Sequence, residues 1–152
     1  MAAQVEKLDF QLRSFRIPLV MATRELSKNI EHQFDVGGDP QWAPLQASTY
    51  KRKGGAGSVL VRTEKLKRRA SQYSRWDITK DSASYSLPSS VSYGYFHQTG
   101  FKHYVASGNT KRAKGSEDVP ARPFVRLEAK QQRIIAKAFG MWFDERMAKV
   151  GK

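Results

Sequence analysis

The spacing of apolar residues changes character twice along this chain, and that change limits the possible fold more than any other feature. From Val5 to Phe34 the apolar positions Val5, Leu8, Leu12, Phe15, Leu19, Ala22, Leu26, Ile30 and Phe34 recur at near-helical spacing, as on one face of an α-helix. Between Trp76 and Phe96 the pattern alternates instead: Trp76 and Ile78, then Ala83, Tyr85 and Leu87, then Val91, Tyr93 and Tyr95. Alternation is the repeat of a half-buried strand. Helical spacing returns with Leu127, Ile134, Ile135, Ala138, Phe139, Trp142, Phe143 and Met147. Helices, sheet and helix in that order predict an α+β fold, with N-terminal helices and a long C-terminal helix packed on one face of a small antiparallel β-sheet.

Glycine and proline divide these segments. Pro18 lacks a backbone donor and crowds the preceding turn, so the helical stretch 4–34 is expected to break near Arg16 to Pro18. Asp35-Val36-Gly37-Gly38-Asp39-Pro40 stops it. Residues 41–75 read as a loop and a short helix, Glu64 to Tyr73, which Thr63 can cap and on which Leu66, Ala70 and Tyr73 share a face. A β-meander is expected over 76–98, its first turn at Thr79-Lys80-Asp81-Ser82 and its third strand after Pro88-Ser89-Ser90. Two long exposed loops follow from composition, near 51–60 and 100–118. Pro120 to Phe124 is a rigid entry to a C-terminal helix over 123–149. A chain of 152 residues is expected to form one domain over 1–152, around a single core.

The sequence holds no cysteine, which excludes disulfides, thiolate nucleophiles and cysteine-based metal centres. Its longest apolar runs, Ile17 to Thr23 and Ala136 to Phe143, fall well short of the about 20 residues that cross a bilayer, so no membrane role is expected. Met1 to Phe10 lacks the features of a secretory leader, so the protein is expected to act where it is made. A formal charge of +13 makes nucleic acid or another acidic surface a plausible neighbour without naming one.

Five short words carry more. They are Trp42-Ala43-Pro44-Leu45, Thr49-Tyr50-Lys51-Arg52, Leu60-Val61-Arg62-Thr63 with Leu66, Phe96-His97-Gln98-Thr99-Gly100, and Pro120-Ala121-Arg122-Pro123-Phe124. In this order the chain resembles the phage virion morphogenesis family of Mu-like tail completion and neck proteins, whose pattern runs W-x-P-L, threonine with basic residues, T-G-x-L, H-Q-x-G and I-P-A-R-P-F before a final helix. The likeness covers about residues 34–143. Two positions depart from it: Glu64 stands at the glycine of T-G-x-L, which loosens the turn expected there, and Val119 replaces isoleucine.

The resemblance implies a structural protein of the virion, assembled in the host cytoplasm, that forms a homo-oligomeric ring, a hexamer, at the head-proximal end of the tail. Its partners would be copies of itself, tail terminator or tail tube proteins, and head-completion or connector proteins, with packaged DNA passing through. No enzymatic activity and no cofactor or metal are implied.

The residues expected at a subunit or neighbour interface are Trp42, Leu45, Arg62, His97, Gln98, Arg122 and Phe124. Two prolines would hold Arg122 outward for a carboxylate of an adjoining subunit, although a plain connection with a solvated arginine fits the same residues. Trp42, Pro44 and Leu45 read first as a loop pinned to the core. His97, placed at the end of a strand, reads as a packed or hydrogen-bonded residue. With His32 and His103 the only other histidines and no metal-binding spacing among them, a zinc site is not expected. Residues 51–75 carry nine cations against the single acid Glu64. Lys51, Arg52, Lys53, Lys65, Lys67, Arg68 and Arg69 could face DNA by neutralising phosphates, or form a solvated or subunit-pairing face. The alternative function is therefore a non-specific nucleic-acid-binding basic protein. No nucleophile elbow, phosphate loop or dinucleotide fingerprint is present.

Overall fold

A computed structural model describes residues 14–55, 58–61, 64–104 and 116–150. The fold is α+β. Its elements are α1 (Arg16–Val36), α2 (Ala47–Arg52), α3 (Lys65–Ala70), β1 (Trp76–Ile78), β2 (Ala83–Tyr85), α4 (Tyr93–Thr99), β3 (Phe101–Tyr104), β4 (Ser116–Val119) and α5 (Ala129–Val150), with 3-10 turns at Tyr73–Arg75 and Ser89–Val91. The chain groups into two compact units. One comprises the chain through Asn29, Ser71–Ser86 and the chain from Arg126; the other comprises Ile30–Ala70 and Leu87–Val125. Among the described residues no helix is long and apolar enough to cross a membrane.

In the first unit, α1 begins at Arg16, within the stretch where Pro18 predicts a break. Proline is tolerated in a first turn because its missing N–H would have had no intrahelical partner. The part of the predicted 4–34 helix before residue 14 lies outside the described residues. Phe15 packs on Trp142 and Phe139 of α5, with ring centroids 5.6 and 5.9 Å apart. The β1–β2 hairpin pairs Trp76 with Tyr85, whose rings meet edge to face at 5.2 Å, and Trp76 Nε1 donates to Ser27 Oγ of α1 at 2.9 Å. Thr79 Oγ1 accepts the backbone N–H of Ser82 and so closes the predicted turn. Burial pushes the Tyr85 phenol up to about 12, against the opposing pull of the Arg75 guanidinium. Gln131 of α5 donates to Asn29 Oδ1 at 2.9 Å, satisfying a nearly fully buried amide. The C-terminal helix starts at Ala129 rather than 123, because Pro120 and Pro123 hold the entry extended.

In the second unit, α1 ends at Val36, and Gly37 and Gly38 take φ of +74° and +98°, the left-handed termination that glycine allows. The core gathers Phe34, Trp42 and Phe124, with Phe34 5.5 Å from the Trp42 ring and 5.2 Å from Phe124. Leu66 and Ala70 of α3 and Val91 complete it. The expected third strand of the meander is instead the 3-10 turn Ser89–Val91 followed by α4. Gly94 is buried in α4, where a Cβ would come within 2.8 Å of Leu66 Cδ1 and 3.4 Å of Phe124 Cζ. Val91 and Gly94 face inward at helical spacing, whereas Tyr93 and Tyr95, which suggested strand alternation, are both exposed. The ends of the loop expected over 100–118 form a second antiparallel hairpin, β3 with β4, in register Phe101 to Val119 and Tyr104 to Ser116; 105–115 lie outside the described residues. The loop near 51–60 begins only after α2, which occupies 47–52.

Candidate functional site

All five sequence words contribute to one feature of the second unit. The first word is fixed by Trp42, whose Nε1 donates to the Pro123 carbonyl at 3.0 Å. The last word returns the bond: Arg122 Nε donates to Ala43 O at 3.0 Å and its guanidinium to Pro44 O at 3.0 Å. The fourth word joins them through Gln98, whose Oε1 accepts the N–H groups of Phe124 and Val125 at 3.0 and 3.1 Å while its amide donates to Val125 O. The His97 carbonyl accepts from Arg122 N at 2.7 Å. Segments remote in sequence are thus locked into one hydrogen-bonded frame through Trp42, Gln98 and Arg122.

This frame backs a groove of about 920 Å³. Leu45, Thr49 and Lys53 form one wall; Leu60, Glu64, Lys65 and Leu66 form another; Tyr93, His97 and Arg122 complete it. Every word therefore supplies at least one lining residue. Two lining residues that are not glycine, Leu60 and Glu64, hold φ of +62° and +54°, a conformation that costs about 1–2 kcal/mol for a residue with a Cβ. Glu64, which sequence reading expected to loosen the turn, holds the left-handed conformation that glycine adopts most easily.

The electrostatics are cationic. Arg122 is only 4% exposed, and burial lowers its guanidinium from the ordinary value. Its side-chain donors meet two carbonyls rather than a carboxylate. His97 is half-buried, its Nδ1 without a partner among the described residues. Burial first, and the Arg122 cation second, hold its imidazole below its ordinary pKa, so it is neutral at neutral pH.

The interface residues expected from sequence therefore separate. Trp42, Arg122 and Phe124 are at most 4% exposed; they hold the frame and cannot reach a neighbour with their full side chains. Arg122 in particular points inward, not outward: its guanidinium donates to the carbonyls of Ala43 and Pro44. Gln98 is likewise spent on the chain itself. Leu45 and His97 line the groove, and His97 sits in α4 rather than at a strand end. Arg62 lies outside the described residues. Sequence reading missed Tyr93, which the alternating pattern assigned to a strand but which stands exposed on the groove, its ring 6.3 Å from His97 at helical spacing. Among the described residues no group of three or more His, Cys, Asp or Glu is placed to hold a metal ion. Comparison with protein-family models, curated proteins and solved structures finds no match to this chain.

Proposed function

We propose that this chain is a structural protein of a bacteriophage virion, of the tail completion or neck class, which closes into a hexameric ring at the head-proximal end of the tail and joins tail to head. The observation that carries this reading is the convergence of all five family words on one groove and its supporting frame. The left-handed turn at Glu64, where the family pattern has glycine, supports the same reading.

On this reading the parts divide the work. Trp42, Gln98, Arg122 and Phe124 brace the groove from behind, and Leu45, Tyr93 and His97 present its surface to the adjoining copy. Such a contact joins two different surfaces, so rotation must close it into a ring if it is not to run on into a filament. Tail terminator or tube proteins on one side and head-completion or connector proteins on the other would be the further partners, and no catalytic step is assigned.

The test is electron microscopy of the purified chain and of particles. Annular particles with six-fold symmetry are expected, together with antibody labelling at the neck of mature virions. A Tyr93→Glu variant should melt like the parent and fail to form the ring. Finished, head-joined tails made without the protein, or its absence from mature particles, would refute the reading.

A further inference from the structure

Of the nine cations in residues 51–75, the structure occupies some and leaves others free. Lys53 Nζ donates to Ser58 O at 2.7 Å and Val61 O at 3.0 Å, which closes the turn after α2. Lys67 is paired with Asp35, and that hydrogen bond raises its pKa from the ordinary value. Arg75 belongs to the other unit. Lys51 at the end of α2 and Lys65, Arg68 and Arg69 on α3 are exposed, and none has an ion-pair or side-chain hydrogen-bond partner among the described residues. The one acid of the segment, Glu64, is exposed beside Lys65 and pairs with none of them.

The arrangement on α3 is directional. Lys65, Arg68 and Arg69 are spaced by three and four residues and share one face, while Leu66 and Ala70, 3% and 0% exposed, hold the other face inward. Packing therefore fixes the helix and leaves three cationic heads in solvent.

We propose that this face binds the phosphate backbone of duplex DNA without reading its sequence. The rise from Lys65 to Arg69 is about 6 Å, and a duplex presents a charge roughly every 1.7 Å along its axis, so long flexible stems can bring each head to its own phosphate. Phosphate contact needs no apolar anchor. Protein interfaces, by contrast, centre on buried aromatic or aliphatic anchors, and the exposed face of α3 offers only the charged side chains of Lys65, Arg68 and Arg69. The proposal rests on this charge layout and stands whether or not the chain closes into a ring.

The test is the salt dependence of binding to a random-sequence DNA duplex, for the full chain and for an Arg68→Glu, Arg69→Glu double variant, both positions lying off the groove. Each phosphate neutralised contributes about −0.9 to the slope of log K against log salt. The parent slope should be about −3.6 or steeper and the double variant about 1.8 shallower, with the mass by light scattering unchanged, so that loss of DNA binding is distinguishable from loss of assembly. If the double variant fails to melt cooperatively, the single Lys51→Gln and Arg68→Gln variants decide, each expected to make the slope about 0.9 shallower. Equal slopes for parent and variants would overturn the proposal, as would poly-glutamate binding as tightly as the duplex at the same salt, which would point to an acidic protein partner.

Discussion

Gln98 offers the sharpest test of how the second unit is held together. Its amide makes three hydrogen bonds to the backbone of Phe124 and Val125, and so ties α4 to the segment that follows Pro123. Replacing it with methionine keeps the length and removes every polar atom. Two backbone N–H groups and one carbonyl then lose their partner. A buried polar group left unpaired costs about 1–3 kcal/mol; Gln98 is half-buried, so water recovers part of this and the lower end applies. The expected loss is about 2–3 kcal/mol, which for a chain of this size lowers the melting temperature by roughly 5–10 °C. Gln98→Glu is the companion: its carboxylate can still accept from both N–H groups but faces the Val125 carbonyl without a donor. It should therefore be destabilised at neutral pH and partly recover when acid restores a proton. Thermal and urea unfolding followed by circular dichroism at high dilution measure both. A Gln98→Met variant within about 0.5 kcal/mol of the parent would refute the bracing role and return Gln98 to the surface contacts expected from sequence.

Three further expectations follow from local geometry. Gly38→Ala should cost about 2–4 kcal/mol, because the position has φ +98° and a Cβ would lie 2.5 Å from Trp42 Cδ1; an unfolding midpoint equal to the parent's would show that the turn is not held as described. Glu64→Gly should leave stability within about 1 kcal/mol of the parent, since relief of the left-handed strain offsets the added freedom of the unfolded chain, whereas Glu64→Val, branched at Cβ, should be clearly less stable in the same urea titration. Equal stability of the two variants would contradict the φ of +54°. For His97, the unfolded chain takes up a proton near the ordinary pKa of 6.5 while the folded chain resists it until lower pH. Stability contributed by the neutral imidazole is thus fully present above about pH 6.5 and is lost as pH falls through the depressed folded value. His97→Gln should flatten that part of the stability profile, and an unchanged profile would count against the buried setting of the ring.

Much of this protein was determined by its sequence alone. The 3.6-residue repeat marks α1 and α5, the paired glycines end α1 at Val36, and the alternation of Trp76, Ile78, Ala83 and Tyr85 around Thr79 to Ser82 marks the first hairpin. These are local signals, set by the backbone preferences and side-chain period of neighbouring residues. Tertiary structure decided the rest. Val91, Tyr93 and Tyr95 alternate as a strand would, yet the residues that pack inward are Val91 and Gly94, three apart, while both tyrosines are exposed. The β3–β4 ladder draws its strands from a stretch whose glycine, serine and lysine content reads as loop, because pairing partners twelve or more residues apart leave no local period. Arg122 is the clearest case: an arginine between prolines reads as a side chain held out for a partner, and only the fold brings the carbonyls of Ala43 and Pro44, nearly eighty residues away in sequence, to within 3.0 Å of its donors. A single chain can announce its periods and its breaks, but which buried donor meets which acceptor is a property of distant segments brought together.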